Sequence, residues 1–202
     1  SYTDGHGTPE RVASAATAAV AHVNGGRAGS VSISGTTTQG QVLTASNTLS
    51  DPDGLGAITY QWQRGGVDIA GATGATYTLT EADVGQAITV VASYTDGQGT
   101  AEAVASGATA AIANLNDAPT GAPVIQGIAA EDQVLSADTS GIADADGLGA
   151  FSYQWYRNGG AITGATGATY TLTDADVGHP ITLAVSYTDG HGTPERVASA
   201  AT

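Results

Sequence analysis

The sequence predicts an all-β protein made of tandem immunoglobulin-like β-sandwich domains without disulfides. Three observations lead to this prediction: the chain repeats itself, apolar residues alternate with polar ones, and turn-forming residues separate the alternating stretches. The 202 residues include no Cys. Each domain must therefore be held together by packing and hydrogen bonds, and thiol chemistry is excluded.

The repeat is visible at the start of the chain, because residues 1–17 (SYTDGHGTPERVASAAT) are identical to residues 186–202. Tyr2, Tyr94 and Tyr187 each lie in an SYTDG stretch, 92 and then 93 residues apart. Self-similarity at a fixed period is typical of a tandem array. We predict that residues 1–24 are the tail of a preceding repeat. They would contain its last strand (strand G) and the turn before that strand (the F–G turn). Residues 25–116 form one repeat, and residues 117–202 form another with a truncated last strand.

Within each repeat the hydrophobic pattern is that of β-strands. Large apolar residues occupy every second position of one stretch per repeat, namely Ile58, Tyr60 and Trp62, then Phe151, Tyr153 and Trp155. A period of two places such residues on one face of a strand. We expect strands in the first full repeat near 30–35, 41–49, 58–64, 67–70, 76–80, 86–95 and 101–113. About seven short strands predict a sandwich or a barrel, and a Trp in the third strand favours the immunoglobulin-like sandwich.

The charge of the chain restricts its partners. Asp and Glu number 19 against five Arg and no Lys, which gives a formal net charge of −14. This charge argues against nucleic acid, which is bound largely through cations on phosphates, and against an anionic membrane surface. The sequence also lacks an apolar run of about 18 residues that could span a membrane. The acid excess favours solubility. Because the acids are also clustered, we expect the protein to bind divalent cations as well.

The main candidate metal site lies where the two full repeats meet. Oxygen-bearing side chains are expected to converge there from three places: the end of one repeat, the linker, and the loops of the next repeat. They are Glu81, Asp83, Asn116, Asp117, Asp144, Asp146 and Asp189. Calcium takes about six to eight oxygen ligands, so we expect structural Ca²⁺ at this junction. The alternative is that the Asp-Gly stretches are ordinary turns, which Asp and Gly also favour.

A second junction, at the start of the first full repeat, should bind metal more weakly. Asn24, Asp51, Asp53 and Asp96 could hold one ion there. However, the linker has Gly25 where the other junction has Asp117, and it carries the cation Arg27. We therefore expect stiff and flexible joints to alternate along the array.

The stretch TYQWQRGGVDIAGATGATYTLTEADVGQAITVVASYTD resembles the bacterial immunoglobulin-like repeats of very large secreted adhesins, and the resemblance covers both full repeats and the leading fragment. It implies the stalk, or extender, region of an RTX-type or biofilm-associated adhesin. Such stalks project a distal ligand-binding region and are often stiffened by calcium. The resemblance also implies a secreted protein at the bacterial cell surface or in the extracellular matrix.

No catalytic residue stands out, and we expect the protein not to be an enzyme. In the aligned repeats, His191, His22 and His179 correspond to Gln98, Asn114 and Gln86. A catalytic His is not expected to alternate with amides, so we interpret these histidines as polar loop or strand-end residues. No Ser is marked as the nucleophile of a triad. Carboxylate pairs that cleave glycosides stay an open alternative, although every pair lies in a turn or joint.

In a stalk, the partners of each repeat are the neighbouring repeats of the same chain. Two other non-enzymatic functions are alternatives to the stalk. One is a building block of an extracellular filament or sheath, assembled by strand exchange through residues 1–24, since residues 1–17 duplicate the last strand of the second full repeat. The other is a carbohydrate-binding module. Its only support is an outward aromatic, Tyr156, and a single exposed Tyr rarely forms a binding platform.

Overall fold

The computed structural model describes residues 1–202, apart from the side chain of Glu10. The chain is all-β and folds into two immunoglobulin-like sandwiches in tandem, as predicted. They are preceded by a short hairpin of β1 (Tyr2–Thr3) and β2 (Pro9–Glu10). The division into segments 1–24, 25–116 and 117–202 stays a prediction from the repeat. The described residues include no helix long and apolar enough to cross a membrane.

The first sandwich contains seven strands in two antiparallel sheets. The strands are β3 (Val31–Ser34), β4 (Val42–Asn47), β5 (Thr59–Arg64), β6 (Val67–Asp68), β7 (Thr76–Thr78), β8 (Ile88–Thr95) and β9 (Ala101–Ala105). One sheet has the order β3-β4-β7 and the other β6-β5-β8-β9. A 3₁₀ turn, Glu81–Asp83, connects β7 to β8.

The second sandwich repeats this arrangement strand for strand. Its strands are β10 (Val124–Gln126), β11 (Val134–Asp138), β12 (Ser152–Arg157), β13 (Gly160–Ala161), β14 (Thr169–Thr171), β15 (Ile181–Thr188) and β16 (Pro194–Ala198). The sheets are β10-β11-β14 and β13-β12-β15-β16, and the 3₁₀ turn is Asp174–Asp176. Loops at matching positions therefore lie at matching ends of the two sandwiches.

A buried Trp lies at the centre of each core. Trp62 and Trp155 are completely buried, and their indole N–H groups donate to the carbonyls of Gly74 and Gly167, both at 2.9 Å. Each indole also stacks on a Tyr of the facing sheet at 5.7–5.8 Å between ring centroids. A Trp whose only polar atom is satisfied can be buried without an electrostatic cost.

The last strand of the first sandwich ends earlier than predicted. The expected strand spans 101–113, whereas β9 ends at Ala105. Beyond it, the hydroxyls of Ser106 and Thr109 accept hydrogen bonds from the backbone N–H groups of β8, which replaces the regular ladder. The chain then stays beside β8 and the residues before it, where the Ile112 N–H donates to the Gln86 carbonyl and Ile112 becomes buried.

Candidate metal centres

Two loops of the second sandwich present acidic side chains toward the linker, and each loop folds around its own carboxylate. Asp144 Oδ1 accepts the Asp146 N–H at 2.9 Å. Asp189 Oδ1 accepts the N–H groups of His191 and Thr193 at 2.8 and 2.7 Å. The Gly190 N–H donates to the Asp146 carbonyl at 2.9 Å and joins the two loops. Because local hydrogen bonds define both loops, the positions of these carboxylates are set before any ligand binds.

The linker is attached to both sandwiches. The Asp117 N–H donates to Asp146 Oδ2 of the second sandwich at 2.7 Å. The Asp117 carboxylate accepts a hydrogen bond from the side-chain amide of Gln39, in the first sandwich, at 2.8 Å. Asn116 donates to Glu195 at 2.9 Å. The linker therefore has defined partners on each side.

The first sandwich contributes Glu81, from its 3₁₀ turn. The Glu81 Oε1 atom lies 2.9 Å from His191 Nε2 of the second sandwich. One ligand atom each of Glu81, Asp146 and His191 lies within 4.8 Å of the others, a spacing that could hold one metal ion. We call this group, together with Asp189, the junction cluster.

Buried oxygens without a partner mark this junction. Among the described residues, Glu81 Oε2, Asp146 Oδ1, Asp189 Oδ2 and Asn114 Oδ1 are buried and accept no hydrogen bond. Asp146 is 4% exposed and Asp189 is 6% exposed. A buried carboxylate oxygen normally has a hydrogen-bond partner, and an uncompensated buried charge is strongly unfavourable. A cation bound between these oxygens would compensate them.

The ionisation states at the junction cluster suit a cation. Burial alone would raise the pKa of Asp189, but backbone hydrogen bonds from Thr193 and His191 outweigh burial and lower it. Asp189 is therefore ionised near neutral pH, as a metal ligand must be. The hydrogen bond with Glu81 raises the pKa of His191, and this shift favours the protonated ring, which would compete with a cation for Glu81.

Asp83 does not belong to the junction cluster, contrary to the prediction from sequence. Its completely buried carboxylate forms an ion pair with Arg64, at 2.7 Å, and accepts hydrogen bonds from Tyr77 and Thr80. Asp83 holds the 3₁₀ turn inside the first sandwich. Glu81, from the same 3₁₀ turn, is the acid that contacts the second sandwich, through His191.

Three other predicted residues also lie at the junction, but their polar side chains are already hydrogen-bonded: Asp144, Asp117 and Asn116. The Tyr187 hydroxyl donates to Asp144 Oδ2, while Asp146 occupies Oδ1. The sequence does not predict that His191 takes part in the junction, because Gln98 occupies its position in the other repeat. Nor does it predict the buried Asn114 oxygen, although the alignment of Asn114 with His22, which contacts Asp53, indicates a position near these loops.

The second group of acids lies at the equivalent end of the first sandwich. Carboxylate oxygens of Asp51, Asp53 and Asp96 lie within 4.8 Å of one another. Asp96 is 5% exposed, and its Oδ2 atom is buried without a hydrogen-bond partner among the described residues. Tyr94 donates to Asp51 at 2.8 Å, and burial followed by this hydrogen bond raises the pKa of Tyr94 to about 12.

A histidine and an arginine lie beside this second group of acids. His22 Nε2 lies 3.3 Å from Asp53 Oδ2, and the Gly25 N–H also donates to Asp53. Arg27 forms an ion pair with Glu102, which also accepts the Asn24 amide at 3.0 Å. Asn24 is therefore bound to Glu102, and Arg27 compensates part of the negative charge. We expect this group to bind a metal ion more weakly than the junction cluster.

Comparison with known proteins does not assign a function to either group of acidic residues. No protein-family model matches the sequence, and no curated protein matches it significantly. Among solved structures, three N-terminal domains of the highly immunogenic outer capsid protein of bacteriophage RB49 are 18% identical, with a TM-score of 0.30. This match covers 85% of this chain and 59% of that chain.

Two further solved structures show similarity at the same level. A run of titin domains is 14% identical, with a TM-score of 0.33, and the match covers 86% of this chain and 61% of that chain. The fibronectin(III)-like modules of Clostridium thermocellum CbhA are 15% identical, with a TM-score of 0.24, over 84% of this chain and 92% of that one. The chain thus spans about three fifths of the capsid and titin structures. The fold assignment rests on the strand order of the chain itself.

Proposed function

We propose that this chain is a structural stalk segment of a large secreted cell-surface adhesin, made rigid by calcium at its domain junctions. The observation that carries the proposal is the set of buried, partnerless oxygens at the junction cluster. Glu81 comes from the first sandwich, whereas Asp146 and Asp189 come from the second. A cation between them would link two domains that are otherwise joined by a linker and a few polar contacts.

The ion would act mechanically. Without a cation, like charges on Glu81 and Asp146 repel each other across the junction, and the contact between His191 and Glu81 is the polar link that opposes this repulsion. With a divalent cation, the same carboxylates become ligands of one centre, so bending the junction would break metal–oxygen contacts. A row of sandwiches with such joints resists bending and keeps its far end away from the cell, which is the work of a stalk.

Calcium fits the chemistry of these donors. The partnerless atoms are three carboxylate oxygens and one amide oxygen, and hard cations such as Ca²⁺ take oxygen ligands in flexible geometry. Extracellular calcium modules bind with dissociation constants of about 10⁻⁴–10⁻³ M. We therefore expect the site to be filled outside the cell and to empty under chelation.

Thermal unfolding with calcium and with a chelator tests the proposal. Binding to the folded state alone stabilises it by about 2.7 kcal/mol when the free ion reaches 100 times its dissociation constant. We expect calcium to raise the unfolding midpoint, and Asp146→Asn combined with Asp189→Asn to remove that rise.

The matched control is Asp68→Asn, which changes an exposed carboxylate bonded only to Gln63. This variant should keep the full response to calcium. An unfolding midpoint that is the same in calcium and in chelator would contradict the metal centre. A larger effect of zinc than of calcium would instead show that His191 is a ligand and that calcium is the wrong ion.

A further inference from the structure

The linker between the two sandwiches starts as a backbone pairing with the first one. The Ala113 N–H donates to the Thr37 carbonyl at 2.9 Å, and the Gln39 N–H donates to the Ala113 carbonyl at 3.0 Å. Thr38 and Ala113 thereby form a parallel bridge in the loop that connects β3 to β4. After Ala113, the contact between this loop and the linker continues through one side chain, that of Gln39.

The side-chain amide of Gln39 extends this pairing in the manner of a peptide group. Its oxygen accepts the Leu115 N–H at 3.1 Å, and its NH₂ group donates to Asp117 Oδ2 at 2.8 Å. A primary amide carries an acceptor and a donor, as a backbone peptide unit does. Through its backbone and its side chain, Gln39 therefore bonds to Ala113, Leu115 and Asp117, which are alternate residues of the linker. It holds one edge of the linker on the first sandwich.

Asp117 connects this contact to the second sandwich. Its backbone N–H donates to Asp146 Oδ2 at 2.7 Å, while Asp146 Oδ1 is buried and has no hydrogen-bond partner among the described residues. The linker thus occupies one oxygen of Asp146 and leaves the other one free. Because Gln39 holds the Asp117 carboxylate, the position of the Asp117 N–H depends on a residue of the first sandwich.

Neither partner of this side-chain contact recurs in the aligned positions. Glu131 takes the place of Gln39 in the second sandwich, and Gly25 takes the place of Asp117 in the other linker. An ionised carboxylate at the first position has no hydrogen to donate, and a Gly at the second position offers no side-chain acceptor. The donor and the acceptor are replaced together, which indicates that Gln39 and Asp117 form a matched pair.

We propose that Gln39 is the positioning residue of the junction. It fixes Asp117, and Asp117 in turn holds Asp146 with Oδ1 free to bind a cation. Gln39 acts through Asp117 and is not itself a ligand. The first step, from Gln39 to Asp117, needs no metal. The second step, from Asp117 to the cation, rests on the calcium centre proposed above.

Amide hydrogen exchange, followed by nuclear magnetic resonance in chelator, tests the first step. Gln39→Leu removes the donor and the acceptor of the side chain at similar volume. The Leu115 and Asp117 amide hydrogens should then exchange about tenfold faster, as loss of a hydrogen bond of ordinary net strength predicts. Gln39→Glu keeps the acceptor for Leu115 but repels the Asp117 carboxylate, so only the Asp117 amide should exchange faster. Unchanged exchange of both amides in Gln39→Leu would overturn the proposal.

Calcium titration of the folded protein, followed by the same amide signals, tests the second step. Both Gln39 variants should raise the dissociation constant of calcium by about tenfold, as removal of an outer-shell partner usually does. A loss of stability alone would not change this constant, because only folded protein is titrated. The matched control is Gln41→Glu, which adds the same charge to the same loop on an exposed side chain. It should keep the unchanged affinity, and an equal loss there would contradict positioning by Gln39.

The two proposals fail separately. If calcium binds the unchanged protein and Gln39→Leu with equal affinity, the positioning role is wrong and the calcium centre stands. If the unchanged protein binds no calcium but its Leu115 and Asp117 amides still respond to Gln39→Leu, the calcium centre is wrong and the role of Gln39 in fixing the linker stands.

Discussion

At the scale of single residues, each sandwich contains a buried acid that holds its 3₁₀ turn in place. Asp176, 6% exposed, pairs with Arg157 at 2.6 Å and accepts hydrogen bonds from Tyr170 and Thr173. Burial alone would raise the pKa of Asp176, but the hydrogen bonds from Arg157 and Thr173 outweigh it and lower the pKa to about 2. The ionised carboxylate is therefore part of the folded structure.

We predict that Asp176 makes the second sandwich sensitive to acid. A depressed pKa contributes stability that is present above the unfolded value, near 4, and is lost as the pH falls toward 2. Asp176→Asn should lower the free energy of unfolding at neutral pH by about 2 kcal/mol, and this difference should shrink in acid. Urea denaturation across a pH series measures both effects.

The control for this prediction is Asp174→Asn, in the same 3₁₀ turn but exposed. It should stay within about 0.5 kcal/mol of the unchanged protein. If the two variants lose equal stability, the charge of the turn matters rather than the buried ion pair.

The sequence predicted the side chains of the acidic groups at the two junctions only in part. Spacing alone indicated that Asp146 and Asp189 would meet at the junction, because matched loops of a sandwich lie at one end. It did not distinguish Asp83 from Glu81, since the direction of each side chain depends on how a single 3₁₀ turn is capped. His191 was missed because its contact with Glu81 joins two domains, and no pattern within one repeat reports such a contact.

At the scale of elements, close backbone contacts determine where strands begin. A Cβ atom on Gly56 would lie 2.1 Å from the Thr95 carbonyl oxygen, and one on Gly149 would lie 2.0 Å from the Thr188 oxygen. These glycines precede β5 and β12, at the point where each strand meets the end of its neighbour. Only a residue without a side chain lets the two backbones approach so closely.

We predict that Gly56→Ala destabilises the first sandwich by about 1–3 kcal/mol, the usual cost of forcing an extra carbon into a packed site. Gly107→Ala is the matched control, because a Cβ atom there would contact nothing within 4 Å. Thermal unfolding followed by circular dichroism compares the two. An equal shift in both would mean that chain flexibility, rather than the clash with Thr95, explains the loss.

The strands themselves were predictable, because alternation of apolar residues follows directly from the geometry of a strand. The exception is the stretch after Ala105, where the pattern of small residues continues but the ladder does not. The Ser106 and Thr109 hydroxyls replace backbone carbonyls as acceptors, while their backbone N–H groups still donate to β8, so the chain stays beside β8 without a regular ladder. The period of the hydrophobic residues does not reveal where a side-chain hydroxyl replaces a backbone carbonyl as the hydrogen-bond acceptor.

At the scale of the whole molecule, we predict that calcium restricts the motion of one sandwich relative to the other. Residual dipolar couplings should give one common alignment for both sandwiches with calcium and two different alignments with chelator. Glu81→Gln should weaken this coupling, because it removes the charge that the first sandwich contributes to the junction. A single common alignment under all conditions would show that the linker contacts alone fix the junction.

The matched indoles of the two cores have a practical consequence for spectroscopy. Trp62 and Trp155 are the only Trp residues of the chain, and both are dry, stacked and bonded to a glycine carbonyl. Their emission should therefore be nearly the same, so a fluorescence trace of the intact chain sums two like signals. Replacing one indole leaves the other as an optical label for its own half.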